Sequence, residues 1–169
     1  MANFMPKSGP IVANTAYCDG VQVARDINIT LPEVAAMTVD IQAMGTMSVP
    51  VWQLIENMVT TIGMIGFDNG LRNVIKPDMK PLEFRFVQPT IKTDGTTENV
   101  GCKAFIKGQP TKIPGFGVEV GSQSEGEIEI MTTRYTLFVG GKVMFLIDRL
   151  AGICRIDGVD YAGGLDSML

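Results

Sequence analysis

The amino-acid sequence predicts a mainly β fold, an antiparallel β-sandwich or partial barrel with one short helix and long hairpins. Three observations support this prediction. Several segments alternate apolar and polar residues, glycine-containing turns separate them, and only one short stretch has helical spacing. The 169 residues suit a single domain, 1–169, in which we expect 1–10 to be a flexible arm and 158–169 a C-terminal tail.

The segments that predict strands are alternating, rich in β-branched residues, or both. They are 21–32, 34–42, 51–67, 81–93, 100–108 and 127–139. In the second of them, Met37, Val39 and Ile41 share one face, which indicates a half-buried strand with Met37 in the core. In the fourth and the sixth, apolar residues alternate with charged ones and are expected to face inward, namely Leu82, Phe84 and Phe86, and Ile128 and Ile130. Two connections are predicted to be loops, from Ala43 to Pro50 and from Pro110 to Gly126.

One short helix is predicted between the third and fourth strand segments. Asp68 or Asn69 can cap its start, Leu71, Val74 and Ile75 share a face, and Pro77 ends it.

The segment 142–156 fits two periods, because its apolar residues also line one face of a helix. Gly140 and Gly141 decide between the readings, since two glycines between strand-like segments predict a type I′ hairpin whose second arm is a strand. Gly152 and the β-branched residues near it weaken the helical reading further. We therefore predict a single long strand from Lys142 to Ile156.

Composition predicts that the domain buries surface against other chains. Hydrophobic residues make up 46% of the sequence and charged residues 19%, and the mean hydropathy is +0.21. Such a chain has either an unusually large core or extensive contacts with other subunits, and we favour the contacts.

Residue counts disfavour several function classes. Without histidine, the usual general base and metal ligand are missing, so we expect no enzyme, no cofactor and no metal. Three cysteines without paired spacing indicate a reducing compartment. A net charge of −4 argues against a surface that grips nucleic acid. No apolar run suits a membrane span, and the N-terminus lacks the pattern of a secretion signal.

Short motifs along the chain resemble the major tail tube proteins of contractile-tailed phages and phage-tail-like bacteriocins. The densest match spans 107–160: "KGQPTKI", a glycine-rich loop, "SEGEIEI", then "GGK", "LID" and "DGVD". Upstream, "ITLPEV" and "AMGTMSVPV" are similar to the family's Leu-Pro strand end and Gly-Met loop. Lys107 stands where the family usually has arginine, the family's Gly-Gly-Phe is broken into Gly63 and Gly66-Phe67, and the tail is short.

This resemblance implies a structural role. Subunits would form a hexameric ring whose sheets complete a shared inner β-barrel, and stacked rings would form the inner tube of a contractile tail, assembled in the host bacterial cytoplasm. The implied partners are copies of the chain itself and the sheath, tape-measure, baseplate and tail-terminator proteins. DNA would pass through the lumen without specific binding, and the tube tip would contact the target membrane transiently.

Candidate contact residues follow from this expectation. We expect subunit contacts in the N-terminal arm, the two predicted loops and the last strand with its tail, at Met44, Gly45, Thr46, Met47, Phe116, Ile153 and Tyr161. Carboxylates on polar strand faces are lumen-facing candidates, namely Asp40, Glu127 and Glu129.

Four further features are better explained by a structural role than by a binding or catalytic site. The glycine-rich 115–126 lacks the Lys-Ser/Thr of a phosphate-binding loop and precedes a strand. Glu125, Glu127 and Glu129 suit a solvated strand face better than a metal site. Cys154 suits a buried apolar position, and Trp52 a core or interface position.

Two alternatives remain open. The tube could belong to a headless contractile bacteriocin or injection particle. The chain could also be a soluble β-barrel binding module with an apolar ligand cavity.

Overall fold

A computed structural model describes residues 5–67, 69–163, 165 and 167–169. The described chain is mainly β with one short helix, and every strand pairing in it is antiparallel, which confirms the predicted fold class. The elements are β1 (Lys7–Ser8), β2 (Ala13–Cys18), β3 (Val21–Arg25), β4 (Ile29–Thr30), β5 (Ala36–Gln42), β6 (Thr46–Ile55), β7 (Met58–Ile65), α1 (Asn69–Val74), β8 (Lys80–Ile91), β9 (Thr97–Lys112), β10 (Glu125–Val139), β11 (Lys142–Asp148), β12 (Ile153–Ile156) and β13 (Val159–Asp160).

Strand β10 organises the main sheet. Its first half pairs with β7 and its second half with β11, while β9 pairs along its other side. The path through the sheet is β13-β12-β11-β10-β9-β8-β2-β3, and β4 lies beside β7. Strands β5 and β6 form a separate two-stranded sheet.

Alternation along the long strands builds one hydrophobic core. The predicted inward positions Leu82, Phe84, Ile128 and Ile130 are buried, together with Ile106 on β9. Helix α1 covers this core with Leu71 and Val74, as predicted. Gly70 lets the helix approach β3 closely, because a Cβ there would collide with the carbonyl oxygen of Val23. The predicted cap residue Asp68 lies outside the described residues.

The predicted glycine turn joins β10 to β11. Gly140 and Gly141 have φ angles of 57° and 81°, as a type I′ turn requires, and Val139 pairs with Lys142. The segment after this turn forms strands and no helix, as predicted, but the prediction of one strand from Lys142 to Ile156 is wrong.

The break in that segment lies after Asp148. Asp148 Oδ1 accepts hydrogen bonds from the backbone N–H groups of Leu150 and Ala151, at 3.1 Å each, and Gly152 has a φ of 64°. An Asx-type turn therefore reverses the chain, and β12 pairs back onto β11.

Both predicted loops are shorter than expected. The first is a turn of residues 43–45, and Thr46–Ile55 is strand; Pro50 is tolerated there because β6 has only β5 as a neighbour. The second spans residues 113–124, because β9 continues to Lys112 and β10 begins at Glu125. The prolines and glycines in these two segments predicted that the strands would end earlier. The strands continue through them because an open strand edge tolerates these residues.

The two chain ends contain short strands. Within 1–10, β1 pairs with the end of β8, and the N–H of Gly9 donates to the carbonyl of Pro89 at 2.7 Å. Residues 1–4 lie outside the described part. Within 158–169, β13 pairs with β12 and Ala162 is buried, whereas residues 164 and 166 lie outside the described part.

Candidate assembly surfaces

Strands β5 and β6 form a two-stranded ribbon that is sharply amphipathic. The pairs Met37–Val51, Val39–Val49 and Ile41–Met47 lie opposite one another, so six apolar side chains share one face. The pairs Thr38–Pro50, Asp40–Ser48 and Gln42–Thr46 form the other face. We call residues 36–55 the β5–β6 ribbon.

The apolar face of this ribbon is only partly covered, because Val49 and Val51 are half-buried and the other four side chains are exposed. Met37, Val39 and Ile41 are 44%, 46% and 44% exposed, and Met47 is 49% exposed. The prediction that Met37 belongs to the core is therefore wrong: its strand has the predicted alternation, but the body of the domain does not cover the ribbon. Seven residues of β5 extend roughly 20 Å at the usual strand rise. The alternation of apolar and polar residues in both strands carried this signal in the sequence.

The predicted contact residues at positions 44–47 lie at the ribbon tip. Met44 is fully exposed with a φ of 53°, and Gly45 has a φ of 130°, so both adopt the left-handed region at the reversal. The carbonyl of Gly45 accepts a hydrogen bond from the N–H of Ala43 at 2.8 Å. Thr46 and Met47 are the first residues of β6, with Thr46 on the polar face and Met47 on the apolar one.

The other three predicted contact residues lie elsewhere. Ile153 and Tyr161 are near the ribbon base: Ile153 lines a hollow with Met37 and Leu54, and the rings of Tyr161 and Trp52 are 6.4 Å apart. Phe116 is separate from them.

Phe116 anchors the loop after β9. Its ring centroid is 4.4 Å from that of Phe67, and its ring lies over Gly126 on β10. The same loop exposes Val118 and Val120 almost completely. The sequence predicted this segment to be a loop but did not single out the two valines, because their alternation with Glu119 is too short to indicate exposure.

The three lumen-facing candidates occupy two strands. Asp40 is on the polar face of the ribbon, where its carboxylate accepts a hydrogen bond from Ser48 Oγ. Glu127 and Glu129 share the outward face of β10, between the buried Ile128 and Ile130, and Glu129 is 3.1 Å from Lys112 Nζ. Asp40 is therefore in the two-stranded sheet, and the two glutamates are in the main sheet.

A second apolar surface opens between β4 and β8. This cleft, with a volume of about 500 Å³, is lined mainly by Ile11, Ile27, Ile29, Leu31, Phe84 and Phe86. Ile11 is 48% exposed at its rim, whereas Phe84 is fully buried at its floor. Among the described strands, β4 pairs only with β7, so its opposite backbone edge is open.

Groups with reactive potential are few and buried. Burial raises the pKa of the Cys154 thiol, and nearby Asp160 adds to this effect, so the thiol stays protonated at neutral pH. All three cysteines are free and buried, in agreement with the apolar role expected for Cys154. Within 5–67, 69–163, 165 and 167–169, no three His, Cys, Asp or Glu side chains are grouped to hold a metal ion. In that same part of the chain, no helix has the length and apolarity needed to cross a membrane.

Three solved structures have a similar fold. One chain of "Cryo-EM Structure of an Extracellular Contractile Injection System, PVC sheath-tube complex in extended state" is 14% identical with a TM-score of 0.51, covering 76% of this chain and 90% of that one. One chain of the corresponding PVC sheath/tube terminator structure is 13% identical with a TM-score of 0.51, covering 82% and 99%. One chain of the anti-feeding prophage cap structure, a tube-terminating cap, is 15% identical with a TM-score of 0.50, covering 74% and 87%.

The sequence comparisons identify the family. No individual curated protein sequence matches the chain. A family model described as "Phage tail tube protein FII" matches residues 10–166, nearly the whole length. The resemblance found in the short motifs is thereby confirmed, and the chain belongs to the phage tail tube protein FII family, whose role is structural.

Proposed function

We propose that the chain forms hexameric rings that stack into the inner tube of a contractile tail, a conduit for DNA. The observation that carries this proposal is the exposed apolar face of the β5–β6 ribbon. An isolated two-stranded ribbon with six apolar side chains on one face is unstable in water unless another surface covers it. In a polymer of identical subunits, that surface belongs to a second copy.

The open strand edges support assembly by the same route. Edges of β4, β5 and β6 have unpaired backbone groups in the described residues, and joining edges between subunits satisfies them. A head-to-tail contact that closes gives a ring, and closure of the sheet gives a barrel without edges. The domain acts as one unit, residues 1–169, and it works without catalysis or cofactor.

The candidate contact residues divide between two kinds of interface. Met44, Gly45, Thr46 and Met47 at the projecting tip meet the next ring, because a projecting turn reaches beyond its own subunit. Ile153 and Tyr161 at the ribbon base contact the neighbour in the same ring. Phe116 fixes the loop 113–124, whose exposed valines also contact the next ring.

The polar face of the ribbon lines the lumen. Its side chains are hydroxyls and an amide with Asp40 as the one charge, and Glu127 and Glu129 add carboxylates from β10. A wall whose charges are mainly carboxylates repels phosphates, and the ammonium of Lys112 is paired with Glu129, so DNA slides without specific contacts.

Further partners come from the rest of the tail. The similar solved chains come from assemblies described as a sheath–tube complex, a sheath/tube terminator and a tube cap. By analogy, this tube is surrounded by a sheath, ends at a terminator, and meets a baseplate and a tape-measure protein. It assembles in the bacterial cytoplasm as part of a virion tail, and its tip touches the target membrane only transiently.

Electron microscopy of the purified protein tests the assembly. Wild-type protein at high concentration should give hexameric rings or hollow rods, and Val39→Asp, which charges the apolar face, should remain monomeric. Thr38→Asp is the matched control, because it adds the same charge to the same strand on the opposite face, and it should still assemble. A wild-type protein that stays monomeric at all concentrations would refute the proposal.

Imaging of the native particle distinguishes a phage tail from a headless contractile injection particle. A tail attached to a DNA-filled head supports DNA passage. A complete contractile particle without a head supports the injection-particle alternative, which the likeness to an extracellular injection system favours.

A further inference from the structure

We infer that the apolar face of the β5–β6 ribbon of one subunit docks into the cleft lined by Ile11, Ile27, Ile29, Leu31 and Phe86 of a second copy. This inference rests on the proposed ring assembly and names its donor and acceptor surfaces. The donor is an exposed apolar strip, and the acceptor is an apolar cleft of about 500 Å³ that is open to solvent. The strip needs an apolar surface to cover it, and the cleft needs apolar side chains to fill it.

The ribbon cannot fill the cleft of its own chain. Residues 31–35 carry the chain directly from β4 into β5, and only Glu56 and Asn57 separate β6 from β7, so the ribbon continues outward from the β4–β7 pair. Its base packs near β12, where Trp52 meets Tyr161 and Leu54 lines a hollow with Ile153. No ribbon residue lines the cleft.

The two surfaces are also made of different residues. The cleft is lined mainly from β4, β8 and the segments 11–14 and 27–28, whereas the ribbon base packs near β12. A contact between two different surfaces of identical subunits is head-to-tail, so it leaves one free donor and one free acceptor after every addition. Such a contact propagates until a ring closes.

The backbone at the cleft suits an added strand. Both backbone polar groups of Ile27 are bound by the side chain of Asn14, at 3.0 Å to its N–H and 2.7 Å to its carbonyl. The open edge of β4 begins two residues later, at Ile29. A ribbon strand laid beside β4 would extend the β4–β7–β10 sheet while its apolar face covers the cleft.

Charge does not oppose this contact. Among the ribbon residues the one charged side chain before Glu56 is Asp40, and it points to the polar face. The six facing residues on the apolar side are aliphatic or methionine, and the flexible methionines at both ends of that strip adapt to an irregular cleft.

Mixing two assembly-deficient variants tests the inference. Val39→Asp disables the donor and Ile11→Asp disables the acceptor, so each alone should remain a monomer of 18.3 kDa. A one-to-one mixture retains one intact donor and one intact acceptor, and light scattering should show a heterodimer of twice that mass and nothing larger. Val12→Asp is the control for Ile11→Asp, since Val12 is 58% exposed beside it but does not line the cleft.

Cross-linking in preformed assemblies provides the second measurement. A Val39→Cys/Ile11→Cys variant should give a ladder of covalent oligomers on oxidation, and Thr38→Cys/Ile11→Cys should not, because Thr38 faces away. The native thiols are buried and contribute little. If wild-type protein forms rings but neither the heterodimer nor the ladder appears, the docking inference is wrong and the tube function stands. If wild-type protein forms no rings, the function itself fails.

Discussion

The hydroxyl oxygens of Thr60 on β7 and Thr132 on β10 lie 2.7 Å apart and are fully buried. A hydrogen bond joins them between these two paired strands. The inward-facing residues around this pair are apolar. The pair lies where the pairing of β10 changes from β7 to β11. Two hydroxyls that satisfy each other can be buried here at low cost, whereas one alone cannot.

Thr132→Val should therefore destabilise the monomer by about 1–3 kcal/mol, because it leaves the hydroxyl of Thr60 buried without its partner. The double variant Thr60→Val/Thr132→Val should lose less stability than the sum of the two single variants. Urea unfolding of the wild type, the two single variants and the double variant measures this coupling. Thr38→Val on the exposed ribbon serves as the control, and additive losses in the double variant would contradict the pairing.

Replacing Gly108 by any residue with a side chain should destabilise the protein. A Cβ at this position would lie 2.5 Å from the carbonyl oxygen of Met131 and 2.7 Å from Ile130 Cγ2, where β9 crosses a bulge in its pairing with β10. Gly108→Ala is expected to cost about 1–3 kcal/mol, since the strands must separate to admit the methyl group. This explains in physical terms the glycine of the "KG" motif.

The matched control for Gly108 is in the same strand. A Cβ at Gly101 would meet nothing within 4 Å, so Gly101→Ala should be neutral or slightly stabilising. Thermal unfolding compares the two variants. Equal melting temperatures for both would show that the close approach of β9 to β10 at Gly108 is wrong.

Tyr135 should make the protein sensitive to alkali. Burial in the core raises the pKa of its phenol to about 12, from an ordinary value near 10. Because the folded-state pKa is above the unfolded one, its contribution is complete below pH 10 and is lost as the pH rises from 10 to 12. The loss amounts to roughly 3 kcal/mol for a pKa difference of about two.

Denaturant unfolding at pH 9, 10, 11 and 12 measures this loss. Tyr135→Phe should lose less stability over that range than the wild type, because all other titrating groups are the same in the two proteins. The phenolate absorbance of the folded wild type should include a rise near pH 12 that the Tyr135→Phe variant lacks. Identical pH profiles for the two proteins would contradict a buried Tyr135.

Local sequence signals predicted much of the strand content. Alternation located Leu82, Phe84, Ile128 and Ile130 in the core, because strand period and burial coincide wherever a body covers one face. The two glycines at 140–141 predicted a hairpin correctly, since a left-handed turn is a property of the residues themselves. Short motifs were enough to indicate the family, which the family model confirms.

Other features depended on contacts distant in sequence. Met37 has the same alternation as a core residue, yet only the path of the ribbon away from the body leaves it exposed. The turn after Asp148 depends on one carboxylate accepting two backbone N–H groups, which competes with strand extension and has no periodic signal. The cleft brings together Ile11, in the connection between β1 and β2, and Phe86 on β8, so no local sequence pattern predicted it. The sequence by itself determined which faces are apolar, because alternation is local; the tertiary structure decided which of those faces its own chain covers, because burial depends on where distant strands meet.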